Sequence, residues 1–266
     1  MILQSQREWE GMAAAGAAAA RVMERVCAAI KPGMTTRHVD RLVREGLRAE
    51  GAKSAPREAY RFPGDCCLSV NRQAAHGIPG WYCLRPGDTL NVDISLELNG
   101  FYADTGRMVQ LGPVPEVYRS LCAAAEQGLR AGIAACKPGV PLREIGAAME
   151  RRVRAAGFVP IRNLTGHGIG RELHEAPRHL YCYDHAAEER CAQLGMTLAL
   201  ECFAATFTSL AEPGDDGWAM LVKDLDRAAQ AEHTVAVGPD GAVILTEEGE
   251  KHGIWMADPA PSQPTL

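Results

Sequence analysis

An internal repeat restricts this chain more than any other feature. Leu84-Arg-Pro-Gly-Asp-Thr-Leu-Asn-Val-Asp93 is echoed by Gln193-Leu-Gly-Met-Thr-Leu-Ala-Leu-Glu201, with Gly87, Thr89 and Leu90 matched by Gly195, Thr197 and Leu198 at an offset of 108. The acids Asp93 and Glu201 close the two copies. Lys31-Pro-Gly33 returns as Lys137-Pro-Gly139 at an offset of 106, and His76-Gly-Ile-Pro79 has a counterpart in His174-Glu-Ala-Pro177 at 98. So long a period excludes a solenoid, whose repeats run from roughly 20 to 50 residues. The repeat describes two α+β halves, about 1–120 and 121–250, that share a core and deliver one acid and one imidazole each.

Bulk properties remove several function classes. A hydrophobic content of 47% supports a sizeable core, and a net charge of −5 gives no electrostatic reason to bind nucleic acid. Nine scattered cysteines with no C-x-x-C pair argue against a zinc module or a disulfide framework. The opening residues mix charges rather than forming a basic and apolar leader, and the alanine run 11–20 is too short and weakly apolar to span a bilayer. A cytoplasmic protein with no membrane partner is the expectation.

Periodicity places the elements. Trp9, Met12, Gly16, Ala19, Met23, Val26 and Ile30 recur at steps of three and four, which predicts an amphipathic helix over 7–30, stopped by Lys31-Pro32-Gly33. Thr35 or Thr36 caps a second helix through Leu47. Thr89–Ser95 and Phe101–Val109 flank Asn99-Gly100, the strongest short hairpin signal. Met196–Phe203, Glu232–Val237 and Val243–Leu245 read as strands of the second half. Residues 251–266 read as a flexible tail.

A two-residue turn at Asn99-Gly100 pairs Leu98 with Phe101 and, stepping outward, Ser95 with Asp104. Side chains two apart share a face, so Asp93 and Asp104 become diagonal neighbours about 7–8 Å apart. A solvated hairpin face competes with this reading, but the alternation of Val92, Ile94 and Leu96 against Asp93 favours an inward acid. Glu201 follows Leu198-Ala199-Leu200 in a strand apolar enough to be buried, where an acid without a cation is costly. Gly166-His167-Gly168 sets an imidazole between glycines, and no G-x-G-x-x-G or Walker pattern supports a phosphate loop there. Glu232 and His233 point to opposite faces of one strand, so one is a ligand candidate and the other a structural partner. His38, His179, His185 and His252 receive no role. Oxygen donors with one imidazole suit Mn, Fe, Co or Zn, and two such ions roughly 3.5–4 Å apart would share a hydroxide and clamp a carbonyl.

These stretches stand in order with Phe62-Pro63, Cys67-Leu-Ser-Val-Asn71, Gly195-Met-Thr197, Asp216-Gly-Trp218 and Gln230-Ala-Glu-His-Thr234 over residues 2–250. Together they resemble the methionine aminopeptidases, members of the duplicated pita-bread metallopeptidases. The resemblance implies one catalytic domain over 1–250, with a central antiparallel sheet covered by helices. It implies two divalent ions held by Asp93, Asp104, His167, Glu201 and Glu232, with Asp104 and Glu232 bridging. His76 would contact the substrate amine and peptide nitrogen, and His174 the scissile carbonyl. Glu201 would also handle the proton of the attacking water. Phe62, Cys67 and Trp218 would line a pocket for the methionine side chain.

The short spacing from His174 to Glu201 is similar to that of type I members. The implied substrates are N-terminal peptides of newly made proteins, handled by a monomer. Ribosome association is expected from that activity alone, since no basic patch announces it. Cys202, Ala75, Arg72 and Leu173 depart from the family's proline, cysteine, acidic and aromatic residues, and none removes a ligand. A proline-specific or small-molecule hydrolase of the same fold, and a catalytically inactive binding paralogue, are the rival readings.

Overall fold

Residues 1–247 are described by a computed structural model; the expected tail, 251–266, lies outside the described residues. The first half runs α1 (Gln6–Ala29), α2 (Thr36–Ala49), β1 (Lys53–Ser54), α3 (Ala55–Tyr60), β2 (Cys67–Val70), β3 (Gln73–Ala75), β4 (Thr89–Leu98) and β5 (Phe101–Gln110). The second runs α4 (Glu116–Ala135), α5 (Leu142–Ala155), β6 (Val159–Pro160), β7 (Thr165–Gly168), β8 (Glu175–Tyr181), β9 (Thr197–Ala205), β10 (Glu212–Pro213), β11 (Met220–Leu221), β12 (Ala228–Val237) and β13 (Ala242–Ile244). In each half a helix pair precedes long antiparallel strands, β4 and β5 in the first, β9 and β12 in the second.

Local chemistry explains the main elements. The apolar stripe of α1 is buried throughout, and the Ser5 hydroxyl oxygen caps the helix by accepting from the Glu8 N–H. Thr35 does the same for α2, accepting from the His38 N–H. Asn99 and Gly100 both take positive φ, 52° and 82°, which a tight primed turn demands. That turn sets the register from Leu98↔Phe101 through Ser95↔Asp104 to Asp93↔Gly106.

Two boundaries differ from the sequence reading by about four residues or more. Strand β12 begins at Ala228 rather than at Glu232, because Ala228–Ala231 pair with Ala205–Cys202 of β9. The stretch Ala228-Ala-Gln-Ala231 carries little strand signal of its own, and the partner strand completes it. The second helix pair opens at Glu116, so the repeat joins through residues 111–115, a little ahead of the boundary expected near 120.

The strands form a ten-stranded sheet with the main path β1-β4-β5-β12-β9-β7-β8, and β10, β11 and β3 make a small second sheet. The halves meet where β5 pairs β12, at Gly106↔Glu232 and Thr105↔His233. Helices back one face of the large sheet. Val92, Ile94 and Leu96 of β4 pack into a cluster with α1 and α2, while Leu198, Leu200 and Cys202 of β9 pack with α4 and α5. Period-two alternation turns Asp93 and Glu201 to the opposite face. All nine cysteines are free, and among the described residues no helix is long and apolar enough to cross a membrane.

Candidate metal centre and substrate cavity

Four strands converge on one cluster of acids. Asp93 and Asp104 come from the hairpin, Glu201 and Glu232 from the paired strands β9 and β12, where they stand directly opposite each other. Side-chain hydrogen bonds stitch the join. The Asp104 N–H donates to Thr234 Oγ1 and the Thr234 hydroxyl donates to the Asp104 carbonyl, both at 2.8 Å, while the Thr105 hydroxyl donates to the Glu232 carbonyl.

His167 enters from β7, held between glycines for a steric reason. A Cβ on Gly166 would lie 2.3 Å from the Ala199 carbonyl oxygen, so only glycine lets β7 sit this close to β9. His167 Nδ1 is 3.0 Å from the Gly168 carbonyl, which only accepts; Nδ1 therefore donates and the Nε2 lone pair is left for the cluster. Nε2 lies 3.8 Å from Asp104 Oδ2 and 3.7 Å from Glu201 Oε1.

The electrostatics of this group suit a bound cation. Burial first, then repulsion among the acids, pushes Asp93, Glu201 and Glu232 well above the usual carboxylate range, and burial lifts Asp104 to about 6. His167 supplies no compensating charge, since burial and the neighbouring His174 push it down to about 3. Among the described residues no lysine or arginine forms an ion pair with any of the four acids. Asp104 Oδ1 and Glu232 Oε1 are buried without a hydrogen-bond partner. An orphaned carboxylate oxygen costs its full desolvation penalty, about 1–3 kcal/mol or more. One ligand atom each from Asp104, His167 and Glu232 lies within 4.8 Å of the others. The donor set therefore fits divalent cations.

The expected ligands, catalytic histidines and pocket residues line one cavity of about 400 Å³: Phe62, Cys67, His76, Asp93, Asp104, His167, His174, Glu201, Trp218 and Glu232. Phe62 and Trp218 meet edge to face at 5.1 Å and make an apolar wall. Burial, then the charge of Asp93, holds the Cys67 thiol protonated, so it adds to that wall rather than to the donors. His76 takes a left-handed backbone, φ 55°, just past β3. His174 packs its ring 3.9 Å from that of His167, and burial, then His76, keeps it neutral by lowering it to about 4. His233 faces the other way and pairs with Thr246 Oγ1 at 2.9 Å, so Glu232 is the member of that pair in the cluster.

The departing residues separate by location. The Cys202 sulfur points at α4, where a Cβ on Gly128 would sit 2.6 Å from it, away from the acids. Arg72 pairs with Asp224 on the surface, Ala75 is buried, and Leu173 alone of the four lines the cavity.

Several residues at or behind the cavity wall escaped the sequence reading. Gln230 donates from Nε2 to Glu201 Oε2 at 2.8 Å and to Glu232 Oε2 at 3.2 Å, and its own Oε1 accepts from Asn91. Both amides lie two residues before a candidate ligand, so strand alternation would have found them. Tyr60, Arg178 and His179 also line the cavity, His179 against the expectation of no role. No local pattern marks these three.

Buried acids and an imidazole gathered by a duplicated sheet define a metal-dependent hydrolase site. The chain matches metallopeptidase family M24 over residues 10–239, and it belongs to that family, with its pita-bread fold. It is 39% identical to methionine aminopeptidase 2 of Bacillus subtilis over 248 residues, covering 93% of this chain and 100% of that protein. The structure of methionine aminopeptidase from Rickettsia prowazekii superposes with a TM-score of 0.88 at 31% identity, over 92% of this chain and 100% of that one. Prolidase from Pyrococcus furiosus gives a TM-score of 0.73 at 20% identity, over 94% of this chain but 66% of the prolidase, a likeness of fold alone.

Proposed function

We propose that this chain is a methionine aminopeptidase that removes N-terminal methionine from proteins and peptides, using two divalent ions drawn from Mn, Fe, Co or Zn. The observation that carries the reading is the single cavity that joins the acid–imidazole cluster to the Phe62–Trp218 wall. One end of the cavity suits a cation pair and the other an unbranched apolar side chain.

Asp93, Asp104, His167, Glu201 and Glu232 would hold the ions. The orphaned oxygens on Asp104 and Glu232 are left free to take up a cation. When bound, the ions supply Lewis acidity that polarises the scissile carbonyl and generates a nucleophile from water at neutral pH. Glu201, lining the cavity as an ionised carboxylate when cations are bound, would accept a proton from the attacking water. His76 orients the substrate amine and peptide nitrogen. His174, neutral, donates to the carbonyl oxygen as charge develops on it. Phe62, Cys67 and Trp218 receive the methionine side chain.

Residues 1–250 are taken as one catalytic unit, a reading supported by the β5–β12 pairing that joins the two halves in one sheet. Its substrates are N-terminal peptides of nascent or newly made chains, met as a monomer and in association with the ribosome.

The deciding assay reloads metal-free protein with Mn, Co, Fe or Zn and follows Met-Ala-Ser beside Ala-Pro, with Asp104→Ala in parallel. Metal-dependent methionine release, abolished by the substitution, is the expected result. Cleavage of Ala-Pro alone would move the chain to the proline-specific hydrolases, and absence of metal uptake would make it a binding paralogue.

A further inference from the structure

One hydrogen bond in the cavity reaches a histidine of the functional reading and is left unused by it. The Tyr60 hydroxyl oxygen lies 2.7 Å from His174 Nδ1, and the two rings meet edge to face at 5.4 Å and 70°. Tyr60 ends α3 at the cavity mouth and is 47% exposed, while His174 packs against His167 deeper in. The contact spans 114 residues of chain, so it exists only in the folded site.

A neutral imidazole carries one N–H and one lone pair, and the two nitrogens cannot both donate. If Nδ1 kept the proton, Nε2 would present a lone pair to an incoming carbonyl oxygen and repel it. If Nδ1 accepts, Nε2 carries the proton and becomes a donor. Among the described residues His174 Nδ1 is the partner at hydrogen-bond distance from the Tyr60 hydroxyl, while Arg178, Glu172 and Asp104 act on that hydroxyl through their charge. His174 lines the cavity, and no hydrogen bond to its Nε2 is formed among the described residues.

We propose that Tyr60 is a positioning residue: its hydroxyl donates to Nδ1, fixes the His174 tautomer with the proton on Nε2, and holds that N–H toward the carbonyl oxygen of the substrate. The edge-to-face packing restrains the ring and the hydroxyl selects the nitrogen. This inference rests on the role given to His174 above. It assigns to α3, which contributes no ligand candidate, a part in the chemical step.

The test compares wild type, Tyr60→Phe and His174→Ala. Tyr60→Phe removes only an oxygen that is partly exposed, leaving the ring contact in place, and thermal unfolding checks that the fold is intact. With Mn-loaded protein and Met-Ala-Ser, Tyr60→Phe should lower kcat by between about 10-fold and 10²-fold with KM within about twofold, the signature of lost orientation rather than lost binding. Long-range ¹⁵N–¹H correlation spectra of Zn-loaded protein, assigned through the signal missing in His174→Ala, should show the Nε2–H tautomer in wild type and a mixture in Tyr60→Phe. A Tyr60→Phe protein with wild-type kcat, or with the same single tautomer, overturns the inference while leaving the aminopeptidase reading intact. A His174→Ala protein with undiminished kcat removes the role of His174 itself, and the inference with it.

Discussion

Gln230 sits behind the acids and shows how much a single amide can decide. Its Nε2 donates to both Glu201 and Glu232, and Asn91 fixes which end of the amide faces them. Groups that orient metal ligands from behind typically contribute 10–100-fold to affinity, in round numbers. Gln230→Leu should therefore weaken divalent-metal binding by about 10–100-fold, read by calorimetric titration, with the fold retained; an unchanged affinity would deny the amide any orienting part. The ligand candidates themselves were legible because acids and an imidazole in apolar or glycine-rich strands are costly without a purpose. The amides were not singled out, since a buried glutamine bonded to its neighbours looks in sequence like any strand residue. Tyr60 was invisible for a different reason: its partner, His174, is 114 residues away.

Among the elements, the β4–β5 hairpin carries the most consequence. Asn99 and Gly100 hold the positive φ values that fix the register, and a slip of one residue would send Asp93 and Asp104 to the helix-covered face. Asn99→Val forces a β-branched residue into the left-handed region, at a cost of about 1–3 kcal/mol. Urea unfolding of the metal-free protein should show that loss, and an unchanged midpoint would mean the turn relaxes freely. Strand β7 gives a sharper case. Gly166→Ala would set a Cβ 2.3 Å from the Ala199 carbonyl, and backbone rather than a flexible side chain must yield. Loss of metal binding together with a stability loss of about 3 kcal/mol or more is expected, and a wild-type calorimetric titration would disprove the tight approach of β7 to β9.

For the molecule as a whole, the buried acids make stability depend on pH and metal together. Asp93, Glu201 and Glu232 are raised well above their ordinary values by burial first and by the charge of Asp104 second, and Asp104 is raised to about 6 by burial. A carboxyl raised in the folded state takes up protons on folding, so its contribution to stability falls as pH rises through the folded value. His167, His174 and His233, lowered to about 3, 4 and 4, act in the opposite sense. Their effect is complete above the unfolded histidine value near pH 6.5, roughly. Above that point the acids set the slope. The Tm of metal-free protein should fall as pH rises above about 6.5, and saturating Mn should raise Tm more at the higher pH. A metal-free Tm that holds or climbs across that window would mean the acids are already neutralised from within.

By itself the sequence determined the duplicated α+β plan, the hairpin with its register, and the face on which Asp93, Asp104 and Glu201 stand. These follow from short-range rules: turn residues that tolerate positive φ, and alternation with period two. The tertiary structure alone decided that β5 and β12 pair across the middle of the sheet, bringing acids from both halves to one point. It also decided that β12 starts at Ala228, that Gln230 bonds two acids at once, and that Tyr60 reaches His174. The physical reason is range. A strand's face is set by neighbours within a few residues, whereas a hydrogen bond between distant segments exists only after the chain has closed around it.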